Sequence, residues 1–198
     1  MKARKIKISK KERRDNMLKF RVEQCTDHIK RIFAFSTELM YLVEGEERAV
    51  LIDTGSGIGK LKSFVCGLTQ KPLTVLLTHG HVDHAMGADE FDEVYMSPLD
   101  REVFLAHGAR DFRIESLSML EDGYTATEAD LIPTAPFEKF KDLKEGDRFQ
   151  LGGASVEVYA CPGHTPGSMV MLVPEDRILI TGDACNTFTF LFDEFSSS

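Results

Sequence analysis

Three histidines and one aspartate lie within the segment His79-Gly80-His81-Val82-Asp83-His84. The apolar run Leu73 to Leu77 precedes this segment and predicts a buried strand. Side chains two positions apart in an extended chain point to the same side, so His79 and His81 can reach one metal ion together. Neutral imidazoles combined with a carboxylate suit a divalent ion such as zinc. The alternative is a polar loop in which the histidines are incidental.

Three further short motifs surround this segment in a fixed order. Leu51-Ile52-Asp53-Thr54-Gly55 lies upstream, and the Gly-His-Thr-Pro-Gly-Ser turn of residues 163–168 and Thr181-Gly182-Asp183 lie downstream. Together the four motifs resemble the signatures of the metallo-β-lactamase superfamily, across residues 20 to 185 or so. The resemblance implies an α/β fold, the αββα four-layer sandwich of that family, here C-terminally incomplete.

The resemblance also implies a binuclear metal site and assigns its ligands. His79, His81 and His164 would hold the first ion, Asp83 and His84 would hold the second, and Asp183 would bridge both. Zinc is the expected metal, one or two ions, with iron or manganese as alternatives, because imidazole and carboxylate suit several ions.

Asp53 matches an aspartate that supports the metal site from behind the ligands in relatives. A carboxylate there can accept the spare ring N–H of a ligating histidine and fix its tautomer. The alternative is that Asp53 only caps the turn before the next helix.

The chemistry implied by the resemblance is hydrolysis. Two close cations lower the pKa of a bound water from 15.7 to roughly 7, which supplies hydroxide at neutral pH. Asp83 can orient that hydroxide and relay a proton to the leaving group, which makes it the candidate catalytic residue. An aspartate at position 183 is more similar to the glyoxalase II and lactonase branch than to the branches that cleave antibiotics.

One element typical of two-metal relatives is absent. They use another histidine well after the bridging aspartate, whereas only 15 residues follow Asp183 and none is histidine. Three explanations compete: a fragment of a longer chain, a naturally shortened protein, or a site completed by another subunit; we favour the fragment. The first ion should then be held more firmly than the second, and the uncovered C-terminal sheet should favour self-association.

The size and composition suit one soluble domain. The chain has 198 residues, of which 42% are hydrophobic and 28% are charged. It contains no apolar run of the roughly 20 residues that a membrane span needs, and no signal core. The four cysteines show no paired spacing, so free thiols and a cytoplasmic location are expected.

The charge is unevenly distributed. Residues 1–19 hold nine Lys or Arg against Glu12 and Asp15, although the whole chain carries −8. We expect a basic, disordered leader over residues 1–19 and one domain over residues 20–198. The acidic domain argues against nucleic-acid binding and favours a small-molecule substrate.

Alternating and apolar runs predict the strands that position these motifs. They are expected at 20–24, 29–35, 39–43, 48–52, 73–77, 94–96, 149–151, 155–160, 168–173 and 177–180. Helices are expected at 57–67, after the metal motif, at 99–106 and at 110–120. Residues 98–136 are predicted to form a helical insertion over the site that shapes substrate entry, with a surface excursion as the alternative.

The leading hypothesis is a metal-dependent hydrolase acting on a small ester, thioester, lactone or phosphodiester. A nuclease or RNA-processing enzyme of the same superfamily is the first alternative, because the leader is basic. The second alternative is a non-catalytic metal-binding module, because the last ligand histidine is absent.

Overall fold

The structure is a computed structural model that describes residues 20–34, 38–118 and 128–186. The basic segment 1–19 and residues 187–198 lie outside the described residues, so the predictions for the leader and for self-association stay predictions.

The described residues form strands in two sheets, with helices between them in sequence. The strands are β1 (Arg21–Gln24), β2 (Ile29–Phe33), β3 (Leu39–Glu44), β4 (Ala49–Ile52), β5 (Leu73–Leu76), β6 (Val94–Met96), β7 (Lys141–Asp142), β8 (Arg148–Gln150), β9 (Ser155–Ala160), β10 (Met169–Val173) and β11 (Ile178–Ile180). The α-helices are α1 (Leu61–Leu68), α2 (Val82–Ala85), α3 (Arg101–His107) and α4 (Arg110–Ser118). Single 3₁₀ turns occur at Ala88–Glu90, Pro98–Asp100, Glu128–Asp130 and Phe137–Lys139.

The first sheet has seven strands in the order β1-β2-β3-β4-β5-β6-β7, and the second has four in the order β11-β10-β9-β8. Strands β1 to β4 are antiparallel hairpin neighbours. Strands β4 to β7 are parallel, and the connections between them carry the helices. The second sheet is antiparallel throughout.

Strand β4 shows how the layers form. All four of its residues are buried, as expected for a strand covered on both faces. Leu51 packs in the cluster that contains Val65 of α1, whereas Ile52 packs in the cluster that contains Met171 of β10. One face of the seven-stranded sheet therefore carries helices and the other carries the second sheet. This arrangement is the αββ part of the expected sandwich.

Backbone hydrogen bonds tie the two sheets together at both ends. At one end, the turn between β3 and β4 donates from Glu46 N to Gly152 O at 2.6 Å, and from Glu47 N to Leu151 O at 2.8 Å. At the other end, Met169 N at the start of β10 donates to Thr78 O at 2.8 Å. The second contact places the start of β10 directly against the histidine-rich segment.

The sequence patterns located the elements well. Strands β6 and β9 coincide with their predicted ranges, and most other strands differ by one or two residues at their ends. The predicted helix 57–67 begins later, at Leu61, because glycines with positive φ at positions 55, 57 and 59 keep the preceding chain in turns. Strand β7 was not predicted, since two polar residues give no alternating pattern.

No helix among the described residues is both long and apolar enough to cross a bilayer. The four cysteines, all within the described ranges, are free thiols, as expected.

The helix layer depends on Phe104 of α3, which is fully buried and contacts the rings of Phe137 and Phe140 at centroid distances of 6.2 and 4.9 Å. We expect Phe104→Ala to lower the free energy of unfolding by about 3–5 kcal/mol, because the lost contacts leave a cavity. The neighbouring Leu105 is 49% exposed, so Leu105→Ala should cost under about 1 kcal/mol. Urea unfolding measures both; equal losses would contradict this packing.

Candidate metal centre

The candidate site forms where two parallel strands end. The turn Asp53–Gly55 follows β4, and the histidine-rich segment follows β5. Because β4 and β5 are parallel neighbours, both segments leave the sheet at the same edge. Helix α2 begins at Val82 directly after His81, so the chain turns away between the first two histidines and the third.

His79, His81 and His164 converge on one point. The Nε2 atom of His79 lies 3.1 Å from Nδ1 of His81, and Nε2 of His164 lies 2.9 Å from the same Nδ1. One ligand atom from each residue fits within 4.8 Å of the others, and all three side chains are buried. The structure thus brings together the three histidines predicted for the first ion, and their role as ligands stays a prediction.

The spacing of these nitrogens fits a metal ion. Ligands at 2.0–2.1 Å around a tetrahedral zinc ion are separated by about 3.3–3.4 Å. The observed separations of 2.9 and 3.1 Å are close to that value. Burial, together with the neighbouring His84 and His81, holds the pKa of His79 well below its usual range. Burial, His107 and His164 lower the pKa of His81 to about 3. Neutral rings are the form that binds a metal.

A second group contains His79, His84 and Asp183, whose ligand atoms also lie within 4.8 Å of one another. Asp183 approaches both groups: one carboxylate oxygen is 3.6 Å from Nε2 of His84, and the other is 3.6 Å from Nε2 of His164. Asp183 therefore lies close to a histidine of each group, and the bridging role predicted for it stays a prediction. The sequence did not indicate that His79 belongs to both groups.

Asp83 stands beside the second group without belonging to either. Its carboxylate lies 3.6 Å from Nε2 of His84, and its side chain is 46% exposed toward the cavity.

Three carboxylates surround the buried ring of His84. Burial opposes its protonation, but Asp83, Asp53 and Asp183 outweigh burial and raise the pKa of His84 well above its usual range. The contact with His84 in turn lowers the pKa of Asp183 to about 2.

Asp53 lies behind these groups and is 2% exposed. Its carboxylate accepts from the backbone N–H of Thr78 at 2.7 Å and from the Thr78 hydroxyl, and it contacts Nδ1 of His84 at 2.8 Å. The backbone at Asp53 has a positive φ of 63°, a conformation found at tight functional turns. The carboxylate thus contacts a candidate ligand directly, in addition to its place in the turn.

The Thr181-Gly182-Asp183 turn packs against the same threonine. A Cβ atom at Gly182 would lie 2.6 Å from Oγ1 of Thr78, and Gly182 has a positive φ of 50°. Only glycine allows this close approach without moving Thr78. The position of Asp183 therefore depends on a glycine that precedes it.

Asp100 is a buried carboxylate that no sequence motif indicates. It follows the Ser97-Pro98 turn and is 0% exposed. It accepts hydrogen bonds from Gly80 N at 2.8 Å, from the Thr165 hydroxyl at 2.9 Å and from Gly167 N at 2.6 Å. Asp100 therefore connects the segment that carries His79 and His81 to the loop that carries His164. An aspartate at a helix start has too many ordinary roles for one sequence to reveal this one.

A cavity of about 630 Å³ opens onto the site. Its walls include His107, Phe112 and Ser116 from the predicted insertion. The His107 ring stacks on His81 at a centroid distance of 4.3 Å, and its Nδ1 accepts from Val82 N at 3.3 Å. His107 lies outside every sequence motif, so its place beside His81 could not be predicted from the sequence.

Arg113 fastens α4 to the turn after β4. Arg113 is 2% exposed, and its guanidinium donates to the backbone oxygens of Ile132 at 2.6 Å and Ser56 at 3.0 Å. Burial lowers the pKa of Arg113 to about 10. These contacts hold part of the segment 98–136 beside the cavity; the limits of that segment as an insertion stay a prediction.

Comparison with known proteins identifies the family of this chain. The sequence model of the metallo-β-lactamase superfamily matches residues 35–195. The acyl-coenzyme A thioesterase MBLAC2 of Homo sapiens is 30% identical over 165 residues, covering 73% of this chain and 57% of that protein. The hydroxyacylglutathione hydrolase GloC of Haemophilus influenzae is 27% identical over 153 residues, covering 77% and 68%. The chain thus spans little more than half the length of the thioesterase.

Solved structures share the fold. TTHA1623 in a di-iron-bound form is 28% identical, with a TM-score of 0.51 over 74% of this chain and 67% of that one. BJP-1 of Bradyrhizobium japonicum, a subclass B3 metallo-β-lactamase, is 22% identical, with a TM-score of 0.53 over 77% and 56%.

Asp100 generates a stability prediction. Asp100→Ala leaves three buried donors without their acceptor, so the free energy of unfolding should fall by about 3–5 kcal/mol. Asp100→Asn keeps one acceptor oxygen and should cost less, about 1–3 kcal/mol. The exposed Glu102→Ala is the matched control and should stay within about 0.5 kcal/mol. Urea unfolding measures all three variants, and an alanine variant as stable as the control would refute the assigned contacts.

Proposed function

Because this chain belongs to the metallo-β-lactamase superfamily, we propose that it is a metal-dependent hydrolase that cleaves a small thioester or ester. The observation that carries the proposal is the pair of ligand groups that share the buried His79, because the other members of both groups, His81, His84, His164 and Asp183, line one cavity. A single buried histidine cluster would suit a structural ion. Two adjoining groups that open onto a cavity suit a catalytic site.

In this proposal, His79, His81 and His164 hold the first ion, and His84 with Asp83 and Asp183 holds the second. A divalent ion bound there would supply Lewis acidity toward a carbonyl oxygen and toward water. Asp53 fixes the ring of His84 through Nδ1, so that Nε2 faces Asp83 and Asp183. Zinc or iron fits the donor set, and the relative TTHA1623 is di-iron-bound.

Asp83 is the group best placed to move a proton. It is the most exposed of the candidate site residues that face the cavity, so its carboxylate can meet solvent and substrate together. A carboxylate in that position can orient the attacking water and then carry a proton to the leaving thiolate or alkoxide. Asp183, which is less exposed and close to two histidines, is suited to hold metal but is less well placed to meet substrate.

The thioester class is favoured by the relatives. One is named an acyl-coenzyme A thioesterase and the other a hydroxyacylglutathione hydrolase. The cavity of about 630 Å³ is of the size that binds small molecules. The alternative function, a nuclease, was based on the basic segment 1–19, and this segment lies outside the described residues.

Metal binding tests the ligand assignment. We expect His164→Ala to weaken binding of the first zinc ion by at least about 100-fold, since even partners behind metal ligands contribute 10–100-fold. His28→Ala is the matched control, because His28 pairs with Asp176 and lies outside both groups. Calorimetric zinc titration of the metal-stripped protein measures both. Equal affinities in the two variants would remove His164 from the site.

Turnover tests the reaction. Hydrolysis of a simple acyl thioester should be abolished by a chelator and restored by zinc or iron. Asp83→Asn should lower kcat by about 10²–10⁴-fold, as expected when a proton-transferring group is lost. Thiol release followed with a chromogenic disulfide measures both effects. Turnover that survives complete metal removal would defeat the proposal.

A further inference from the structure

Helix α3 lies along the histidine-rich segment and contacts it at both ends. At the start of the helix, Asp100 accepts from Gly80 N at 2.8 Å, and a Cβ atom at Gly80 would lie 3.0 Å from Phe104 N. At the end of the helix, His107 contacts His81. Positions 100, 104 and 107 follow the i, i+4, i+7 spacing of one helix face. The face that carries His107 is therefore turned toward the candidate ligands.

The His107 ring covers one face of the His81 ring. The two centroids are 4.3 Å apart, and the two planes differ by 17°. The rings of His79 and His164 are nearly perpendicular to His81 instead, with planes inclined by 79° and 89°. Their Nε2 atoms lie 3.1 and 2.9 Å from Nδ1 of His81. His107 thus packs against the face of the ring, while the Nδ1 edge stays directed at the other two candidate ligands.

The plane of the His81 ring needs such a contact. The torsion that joins an imidazole ring to its Cβ atom is broad, so the side-chain rotamer alone does not fix the plane. Rotation of the His81 ring about this torsion would carry Nδ1 away from the Nε2 atoms of His79 and His164. The same rotation would push the ring into His107, so the stacked ring opposes it.

His107 is itself held from two sides. Its Nδ1 atom accepts from Val82 N at 3.3 Å, and its ring contacts the ring of Phe112 at a centroid distance of 4.3 Å. Val82 is the first residue of α2, and Phe112 belongs to α4. An N–H group at a helix start has no partner within its own helix, so the bond to His107 satisfies a group that α2 cannot. A ring fixed in this way can restrain the ring on which it stacks.

We propose that His107 is a positioning residue of the candidate metal centre, because its ring fixes the plane in which His81 presents Nδ1 to the first ion. The proposal rests on the proposed function in one respect, since it takes His81 as a ligand. A residue that only filled space would contribute to the free energy of unfolding. It would leave metal binding by the folded protein unaltered.

Two substitutions separate the ring of His107 from its hydrogen bond. His107→Phe keeps an aromatic ring but cannot accept from Val82 N, whereas His107→Asn keeps an acceptor but has no ring. His28→Asn is the matched control, because His28 pairs with Asp176 and lies outside both ligand groups. Circular dichroism confirms that the variants are folded. If His107→Asn does not fold, His107→Leu, which fills the space without a flat ring, takes its place.

Cobalt(II) titration of the metal-stripped protein measures the positioning, because the visible spectrum of bound cobalt depends on the arrangement of its ligands. We expect His107→Asn to bind the first cobalt ion about tenfold more weakly than the unaltered protein, with an altered spectrum. His107→Phe and His28→Asn should stay within about threefold of the unaltered protein, with its spectrum. Unaltered affinity and spectrum in His107→Asn would overturn the inference. Binding by His107→Phe as weak as that by His107→Asn would also overturn it, because the ring would then not be the cause.

The cobalt titrations require no turnover, so they separate this inference from the proposed function. If no thioester is hydrolysed but His107→Asn weakens cobalt binding, the proposed hydrolysis fails and the role of His107 stands. If hydrolysis is chelator-sensitive but cobalt binding by His107→Asn is unaltered, the role of His107 fails and the hydrolase stands. His81→Ala completes the set, since unaltered affinity for the first ion in that variant would remove the ligand that His107 is proposed to position.

Discussion

The candidate site depends on the convergence of buried polar side chains from loops far apart in the sequence. Imidazoles from positions 79, 81 and 164 approach within about 3 Å of one another in the interior of the protein. Such a cluster buries polar ring nitrogens, which costs free energy unless they are paired. The surrounding structure must therefore hold the loops in place without the stabilisation that a bound ion would add.

Two buried carboxylates provide that support from opposite sides. Asp53 contacts Thr78 and His84 beneath the ends of β4 and β5. Asp100 holds Gly80 on one side and Thr165 with Gly167 on the other. Each accepts hydrogen bonds from several donors, which is the condition under which a buried carboxylate is tolerated. The ligand rings are thus oriented by residues that need not touch the metal themselves.

The sequence predicts most of the fold and much of the site, for physical reasons that differ between residues. Strands such as β9 can be predicted from alternating apolar and polar residues. His79 and His81 can be predicted as a pair from their spacing in an extended segment. Asp100 and His107 could not be found in this way, because their importance comes from what the fold brings beside them. Strand β7 was missed for the same reason: Lys141 and Asp142 form a strand only because β6 offers a free parallel edge.

The long separation between Asp100 and Gly167 has a consequence for the order in which the protein matures. These two residues are 67 positions apart in the chain, and the chain just after Gly167 is also held to the histidine-rich segment by the hydrogen bond from Met169 N to Thr78 O. Contacts of such high sequence separation form late, after the entropy of closing the intervening chain has been overcome. During synthesis on the ribosome, the emerging chain would hold His79 and His81 for some time before His164 leaves the exit tunnel. In the proposed site, an ion held by His79, His81 and His164 should accordingly bind late, after the two sheets have joined.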